Sequence, residues 1–440
     1  QNHPLKMHDI MKLIHKLILT LTLLSVLLAA ATAQSQPLTL DTCRQMALRN
    51  NIKIRTAKNA VNEAKELRNE AFTKYFPQVN ASGFAFKSNK GLVQFGLLDI
   101  LSVSFFDKSI NAGITAVQPI FMGGQIVNSN KLAEIGVAVS ELQRRQSHND
   151  VIQTVDKYFW EISALQAKRR TLMAAMTAVD SLCHDVSVAL EAGLITSNEL
   201  LEVQLRRSEL QADSVDLDNG ISLCKMVLAQ YIGSDTAQVD ISYIPADTVP
   251  DIPYHLYRQP GQALPDNPDY LLLKENVKAR KLEQRIEVGK NLPSIGAGAG
   301  YFYQDALGSK HSYGAVFMAV NIPLSGWWGG AHAIKRKRIA SETAEARLND
   351  LSELIEIEIA KAWDDLTAAQ RKAAIAHKAI EPATENLRLY NVFYQAGTTT
   401  ITDLLAAHAL HRQTLDRFCE ATAAYQVALT QYLIATSQQP

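Results

Sequence analysis

The sequence predicts a protein that joins transmembrane β-strands to a long α-helical coiled coil, and three observations lead to this fold class. An apolar segment near the N-terminus has the form of an export signal. The chain after it repeats one order of helices and strands twice. Two very long segments carry the hydrophobic spacing of coiled-coil helices.

The composition excludes several classes of protein. The 440 residues are 47% hydrophobic and 20% charged, and the formal net charge is zero. Such a chain is neither a disordered segment nor a basic nucleic-acid-binding domain, so we expect no nucleic-acid partner. The four cysteines match no zinc-ligand or Cys-x-x-Cys spacing, and we interpret them as small apolar residues of helix cores.

Residues 1–33 are predicted to be an N-terminal extension and a cleaved signal peptide. Lys12 and Lys16 precede an apolar segment at 17–31, and small residues ending at Ala33 form a cleavage pattern. The alternative, a membrane anchor, needs a longer apolar segment. We therefore expect an exported protein.

Two internal repeats are predicted, at residues 34–245 and 246–440. Each has the order helix, strand pair, very long helix, turn and helix. Identical residues recur in the same order in both halves. The matching pairs include Pro77 and Pro293, Val117 and Val320, Ala192 and Ala396, and Gln230 and Gln431. An internal duplication explains this order, and chance does not.

A very long helix is predicted in each repeat, at about 125–191 and about 330–394. In the first helix, apolar residues recur at alternating steps of four and three. They are Leu172, Met176, Val179, Cys183, Val186 and Leu190. This spacing predicts helices that pack side by side at shallow angles. At about 1.5 Å per residue the first helix would extend about 100 Å, which suits a protein that crosses a wide compartment.

Two strand-like segments precede each long helix, within 78–118 and within 294–322. Each is close to the length of about 9–11 residues that a tilted strand needs to cross a bilayer. Four strands cannot close a barrel, and an open edge cannot face lipid. Three chains would supply twelve strands around an open lumen. The sequence therefore predicts a homotrimeric 12-stranded β-barrel, with four strands per chain, continued by an α-helical coiled-coil barrel.

The turns after the two long helices carry the most specific motifs. Residues 192–201 read Ala-Gly-Leu-Ile-Thr-Ser-Asn-Glu-Leu-Leu, and residues 396–405 read Ala-Gly-Thr-Thr-Thr-Ile-Thr-Asp-Leu-Leu. Glycine suits a helix end that must turn, and a hydroxyl followed by an acidic side chain suits the start of the next helix. With these motifs and the repeat plan, the chain resembles the TolC family of bacterial outer-membrane efflux proteins.

Local residue choices also predict how helices begin and bend. We expect Ser197 or Asn198 to cap the helix after the first turn, and Thr400 or Thr402 to cap the helix after the second. The glycine pair at 123–124 is expected to form a bend between strand and helix, because glycine relaxes the limits on backbone angles.

The resemblance implies a channel that conducts substrates passively from the periplasm to the outside, within a tripartite efflux or type I secretion system. The implied partners are further copies of the chain in a homotrimer, outer-membrane lipid, a periplasmic adaptor (membrane fusion) protein and an inner-membrane pump. No enzymatic activity, cofactor or metal is implied. An exported coiled-coil adhesin or scaffold without a pore is the alternative hypothesis.

The resemblance further implies which residues form the gate and the adaptor-docking turns. Asp403 and Tyr394 match gate positions of the family, and Glu199 holds the place of Asp403 in the first repeat. Thr399 and Ala406 stand where the best-known member has an arginine and a second aspartate, so the full charge set of that gate is not expected. The candidate docking residues are Gly193, Leu194, Ser197, Gly397, Thr398 and Thr400.

Overall fold

The described chain is mostly helical, with a four-stranded antiparallel sheet and a two-stranded hairpin. The structure is a computed structural model. It describes residues 37–89, 93–97, 101–105, 108–235, 239–241, 248–306, 309–324 and 326–438. The predicted N-terminal extension and signal peptide, residues 1–33, lie outside the described residues.

The elements follow one another as helix, strand and helix in both halves of the chain. The helices are α1 (Leu40–Asn50), α2 (Ile52–Thr73), α3 (Gln125–Glu191), α4 (Ser197–Ile232), α5 (Pro260–Ala263), α6 (Pro268–Lys290), α7 (Gly326–Gln395) and α8 (Ile401–Ala435). The strands are β1 (Gln78–Lys87), β2 (Val93–Leu97), β3 (Leu101–Phe105), β4 (Lys108–Met122), β5 (Ser294–Ala306) and β6 (Ser309–Asn321). None of the described helices combines the length and the hydropathy that a membrane span requires.

The helix predicted at the start of the first repeat is in fact two helices, α1 and α2. Asn51, between α1 and α2, has an extended backbone with φ −65° and ψ 135°. Its side-chain amide donates a hydrogen bond of 3.1 Å to the carbonyl oxygen of Tyr231. The break is therefore held by a contact with a residue distant in sequence, which the local helical pattern does not reveal.

Glycines at the two strand-to-helix junctions act in different ways. Gly123 and Gly124 have φ angles of 60° and 76°, in the left-handed region that favours glycine, and they form the predicted bend between β4 and α3. The second long helix, by contrast, begins at Gly326, before the predicted start at 330. Gly330 lies inside that helix, and its backbone is so close to the side chain of Asn291 that a Cβ atom would collide.

The four-stranded sheet has the order β1-β4-β5-β6, and every neighbouring pair is antiparallel. The pair β4–β5 therefore joins the strands of the first half of the chain to those of the second. A register shift between Pro119 and Phe121 interrupts the β4–β5 pair, where proline lacks the N–H needed for a ladder hydrogen bond. The segment between β1 and β4 contains the β2–β3 hairpin, which is not predicted from the sequence.

The described residues form two compact units, and each unit draws on both halves of the sequence. One unit contains residues up to 51, 152–251 and 369–427, and the other contains 52–151, 252–368 and 428–440. Both long helices contribute residues to both units. The division into repeats at 34–245 and 246–440 concerns sequence duplication, and it stays a prediction.

The predicted coiled-coil seam of α3 forms a buried core in the unit that contains the two turns. Leu172, Val179 and Val186, which follow the predicted steps of four and three, are buried together with Val203 and Leu210 of α4. Three residues of α8 complete this core. They are Ile401, Leu404 and Leu405. The hydrophobic periodicity is therefore explained by packing between helices.

The cysteines behave as small core residues. Cys43 and Cys224 are buried, Cys183 and Cys419 are half-buried, and all four are free thiols. Burial, and to a lesser extent the negative charge of Asp156, raises the pKa of the Cys43 thiol to about 11. The thiol is therefore protonated near neutral pH and lacks the reactivity of a thiolate.

Candidate functional site

The four-stranded sheet has two chemically different faces, which strand register defines. Residues paired directly across an antiparallel sheet lie on the same face, and successive residues alternate between faces. One face, here called the apolar face, carries branched, small and aromatic side chains. It contains Val79, Ala81, Ala85, Ile110, Ile114, Ala116, Ile295, Ala299, Tyr301, Val316, Met318 and Val320. The opposite face, here called the polar face, carries polar residues together with aromatic ones. The polar residues include Gln78, Asn80, Ser82, Asn111, Thr115, Gln304 and His311, and the aromatic residues are Phe84, Phe86, Phe302, Tyr313 and Phe317.

The apolar face is exposed in the single chain. Val316 is 88% exposed, and Val79, Met318 and Val320 are exposed as well. Charged residues occupy one end of this face. They are Lys87, Lys108, Asp305 and Lys310. An exposed apolar band with charges at its border has the pattern of a surface that contacts lipid.

The two edges of this sheet are β1 and β6, each of which pairs with one strand among the described residues. The outer edge of each therefore has backbone N–H and C=O groups with no ladder partner in the described chain. Such groups are costly inside a bilayer. The sheet is thus complete only if another strand pairs with each edge.

The first turn, residues 192–196, ends α3 with a glycine-dependent motif. Gly193 has φ of 71°, its N–H donates to the Leu190 carbonyl, and the Leu194 N–H donates to the Ala189 carbonyl, both over 2.9 Å. This pair of hydrogen bonds is a Schellman motif. Leu194 at the tip of the turn is 77% exposed. Ser197 is exposed as the first residue of α4.

The second turn, residues 396–400, repeats the same backbone geometry. Gly397 has φ of 69°, its N–H donates to the Tyr394 carbonyl over 3.0 Å, and the Thr398 N–H donates to the Phe393 carbonyl over 2.9 Å. The Thr398 hydroxyl donates to the same Phe393 oxygen over 3.0 Å. Both turns therefore leave the helix through a left-handed glycine, as their sequences predict.

The caps that follow the two turns differ. Thr400 caps α8, because its hydroxyl accepts a hydrogen bond of 3.2 Å from the Asp403 N–H, and the Asp403 carboxylate accepts bonds from the Thr400 hydroxyl and N–H. This reciprocal arrangement is a capping box. The prediction for the first turn is wrong, since the N-cap of α4 is Thr196, which makes no side-chain capping bond. Ser197 and Asn198 already have helical backbone.

Asp403, the principal gate candidate, is exposed and engaged within its own turn. Its carboxylate accepts hydrogen bonds from the hydroxyls of Thr400 over 2.7 Å and Thr399 over 3.1 Å. These bonds hold the pKa of the Asp403 carboxyl below its usual value. Thr399 thus donates to the aspartate at the position where the best-known relative has an arginine.

Tyr394 and Glu199, the other gate candidates, belong to one local environment. Tyr394 is half-buried and packs against the core that contains Val203 and Ile401. Burial, followed by the negative charges of Glu199 and Asp185, raises the pKa of the Tyr394 hydroxyl. Residues beside both turns therefore come together.

Sequence reasoning missed the residue that links the two helices that follow the turns, α4 and α8. Glu202 accepts a hydrogen bond of 2.6 Å from the Thr402 hydroxyl and one of 2.9 Å from the Asn198 amide. Nothing in the local sequence distinguishes Glu202 from other acidic residues on exposed helix faces. Among the described residues, no group of three or more His, Cys, Asp or Glu side chains is arranged to hold a metal ion.

The chain belongs to the outer membrane efflux protein family. It matches the model of that family over residues 43–234 and 260–433, which is most of its length. The chain is therefore an efflux duct of the bacterial outer membrane that extends into the periplasm, and its family is one of channels and not of enzymes. No curated protein matches the chain in sequence at a significant level.

Solved structures of outer-membrane channels share the fold at low sequence identity. VceC from Vibrio cholerae is 16% identical, with a TM-score of 0.77 over 91% of this chain and 96% of that chain. CmeC from Campylobacter jejuni is 13% identical, with a TM-score of 0.80 over 90% and 85%. The open state of MtrE from Neisseria gonorrhoeae is 16% identical, with a TM-score of 0.75 over 91% and 89%.

Proposed function

We propose that this efflux duct is a homotrimer in which three four-stranded sheets close into a 12-stranded β-barrel and the helices form a coiled-coil barrel in the periplasm. The repeats at 34–245 and 246–440 each contribute two strands and one very long helix. Substrates pass through the lumen passively, from the periplasm to the outside. The observation that carries this proposal is a sheet with an exposed apolar face and two edges that pair with no further strand of the described chain.

The sheet edges supply the first argument for three subunits. Pairing β1 of one subunit with β6 of the next satisfies both edges and removes them from lipid. Two chains would give eight strands, whose interior is filled by side chains. Three chains give the smallest barrel with an open lumen, with the apolar face outside and the polar face inside.

An exposed apolar stripe on α4 supplies the second argument. Leu201, Leu205, Val215, Leu223 and Met226 are all exposed in the single chain. At about 100° per residue these five positions fall on one narrow side of the helix. A neighbouring subunit would bury this stripe, since exposed apolar patches commonly mark interfaces.

The two turns are proposed to bind a periplasmic adaptor protein that joins the duct to an inner-membrane pump. Both turns have the same exposed Schellman geometry, and they differ in their side chains. The docking residues of the first turn are Gly193, Leu194 and Ser197, and those of the second are Gly397, Thr398 and Thr400. The pump supplies the energy, and the duct needs no cofactor. The family assignment favours this role over a scaffold without a pore.

The gate is proposed to be formed by Asp403, Glu199 and Tyr394. Threefold symmetry would place three copies of each around one axis, so that acidic groups attract cations to the constriction. The Asp403 carboxylate accepts hydrogen bonds from the hydroxyls of Thr399 and Thr400, which carry no charge. A gate locked by charge pairs at this position is therefore not part of the proposal.

The test combines a mass measurement with a conductance measurement. The mature protein is purified in mild detergent, and its mass is determined by light scattering corrected for detergent. We expect the mass of three chains and discrete ion conductance in a planar bilayer. A mass of one or two chains would contradict the trimer, and pure trimer without conductance would contradict the channel.

A further inference from the structure

Two phenylalanine rings on the polar face lie flat over glycines of β5. Phe317 of β6 is paired directly with Gly298, and Phe302 lies beside Gly300 on its own strand. Phe302 also covers Gly113, its cross-strand partner on β4. The ring of Phe302 further contacts that of Tyr313, with centroids 5.5 Å apart.

The space between these rings and the backbone is too small for any side chain. A Cβ atom at Gly298 would lie 2.5 Å from Cζ of Phe317, and one at Gly300 would lie 2.7 Å from Cζ of Phe302. A Cβ atom at Gly113 would lie 2.7 Å from Cδ1 of Phe302. Carbon atoms in ordinary contact are about 3.5–4.0 Å apart. Glycine is therefore required at these positions while the rings lie flat.

Glycines on the apolar face show no such contact. A Cβ atom at Gly83 would meet only the backbone oxygen of Asn111, at 3.9 Å, and one at Gly314 would meet only that of Gly300, at 3.8 Å. Close contact between aromatic rings and glycines is thus a property of the polar face, and it is not a general consequence of a glycine-rich sheet.

We propose that Gly113, Gly298 and Gly300 are seats that hold Phe302 and Phe317 flat against the barrel wall, and that they thereby set the free radius of the lumen. This inference rests on the proposed function, in which the polar face lines the pore. Three copies of each ring surround the axis in the trimer. A ring that stood upright would narrow the passage from three directions at once.

A methyl group on a seat should displace the ring first, because the ring atoms are its nearest neighbours and the ring is free to rotate. The backbone is also close: the Ala116 carbonyl oxygen would lie 3.0 Å from a Cβ atom at Gly298, and the Ile114 carbonyl oxygen 3.2 Å from one at Gly300, so each has to shift by a few tenths of an ångström. The colliding atoms at Gly298 belong to the far end of the Phe317 ring, which can rotate about its side-chain bonds. The ring must move by about 1 Å or more to reach an ordinary carbon contact. The strand blocks movement into the sheet, so the ring moves toward the lumen.

The experiment compares electron cryomicroscopy structures of the full-length wild-type protein with those of Gly298→Ala and Gly300→Ala, all in lipid nanodiscs. Gly314→Ala is the matched control on the apolar face. We expect Phe317 or Phe302 to tilt into the lumen in the respective seat variant and the barrel to narrow at that level, while the control keeps the wild-type radius. Rings that remain flat in both seat variants would overturn the inference.

A double variant covers the case in which a seat variant fails to assemble. Gly298→Ala combined with Phe317→Ala removes both the methyl conflict and the ring, and it should assemble as the wild type does. If this double variant also failed to assemble, Gly298 would be needed for a reason other than its contact with Phe317, and the proposal would be overturned. A wild-type map without a closed trimeric barrel would instead overturn the proposed function.

Discussion

The side chains of Thr400 and Asp403 are hydrogen-bonded to each other at the start of α8. At the same positions of the first repeat, Glu199 donates its N–H to the Thr196 carbonyl oxygen over 3.3 Å, but the Thr196 side chain makes no capping bond. Both turns carry threonine followed three residues later by an acidic side chain. The Asp403 carboxylate lies against the Thr400 hydroxyl and N–H, whereas the Thr196 side chain makes no capping bond. The capping box therefore stabilises the second turn only.

Replacing the N-cap threonine should destabilise the start of α8 more than the start of α4. Thr400→Ala removes the acceptor for the Asp403 N–H, and loss of an N-cap typically costs about 1 kcal/mol. Thr196→Ala removes no side-chain capping bond and should cost little. Peptide-resolved hydrogen exchange should show faster exchange in the first turn of α8 for Thr400→Ala. Equal effects of the two variants on their own helices would contradict the capping box.

At the scale of elements, α1 is attached to α3 by a buried ion pair. Arg44 donates two hydrogen bonds to Asp156, from Nε over 2.8 Å and from Nη2 over 2.5 Å. The Asp156 side chain is 0% exposed, and that of Arg44 is 17% exposed. A bidentate pair satisfies both groups in a fixed geometry, whereas either partner alone would be a buried uncompensated charge.

The Asp156→Asn substitution should therefore loosen α1. Breaking a buried ion pair by removing one partner costs about 3 kcal/mol or more. Asp41→Asn is the matched control, because Asp41 also approaches Arg44, at 3.6 Å, yet its side chain is 83% exposed. Exposed pairs contribute about 1 kcal/mol or less. Hydrogen exchange of α1 amides measures the difference, and similar opening in both variants would rule out the anchoring role.

At the scale of the whole molecule, the two faces of the sheet suit two different environments. Its apolar face is exposed in one chain, and its polar face carries amide, hydroxyl and imidazole groups. Bilayer lipid and an aqueous lumen are the two environments that match these faces. Neighbouring residues of one strand, such as Ala315 and Val316, then experience opposite surroundings.

Lysine substitutions at these two neighbours should have opposite outcomes. Val316→Lys places a charge on the lipid-facing side and should cost about 2–4 kcal/mol near the bilayer midplane. Ala315→Lys places the same charge on the polar face and should be tolerated. The yield of trimer in the outer-membrane fraction measures the difference. Equal yields would show that the apolar face does not contact lipid.

Periodicity explains why the helices were predictable and the sheet faces were not. The alternating steps of four and three between Leu172 and Leu190 reflect local geometry, so they predict α3 and its buried seam. The strands alternate only weakly, because small residues occupy both faces of β5, with its glycines on the polar face and Ala297 and Ala299 on the apolar face. Their two faces become distinct only when β4 pairs with β5, and that pairing joins residues from different halves of the chain.

The sequence by itself determined the family resemblance, the two long helices and the glycine turns, because each depends on residues close together in the chain. Tertiary structure alone decided which threonine caps a helix, how Glu202 links α4 to α8, and which glycines lie under aromatic rings. These features depend on contacts between distant segments, such as Gly298 with Phe317. Their geometry is set by packing and strand register, which local sequence patterns do not specify.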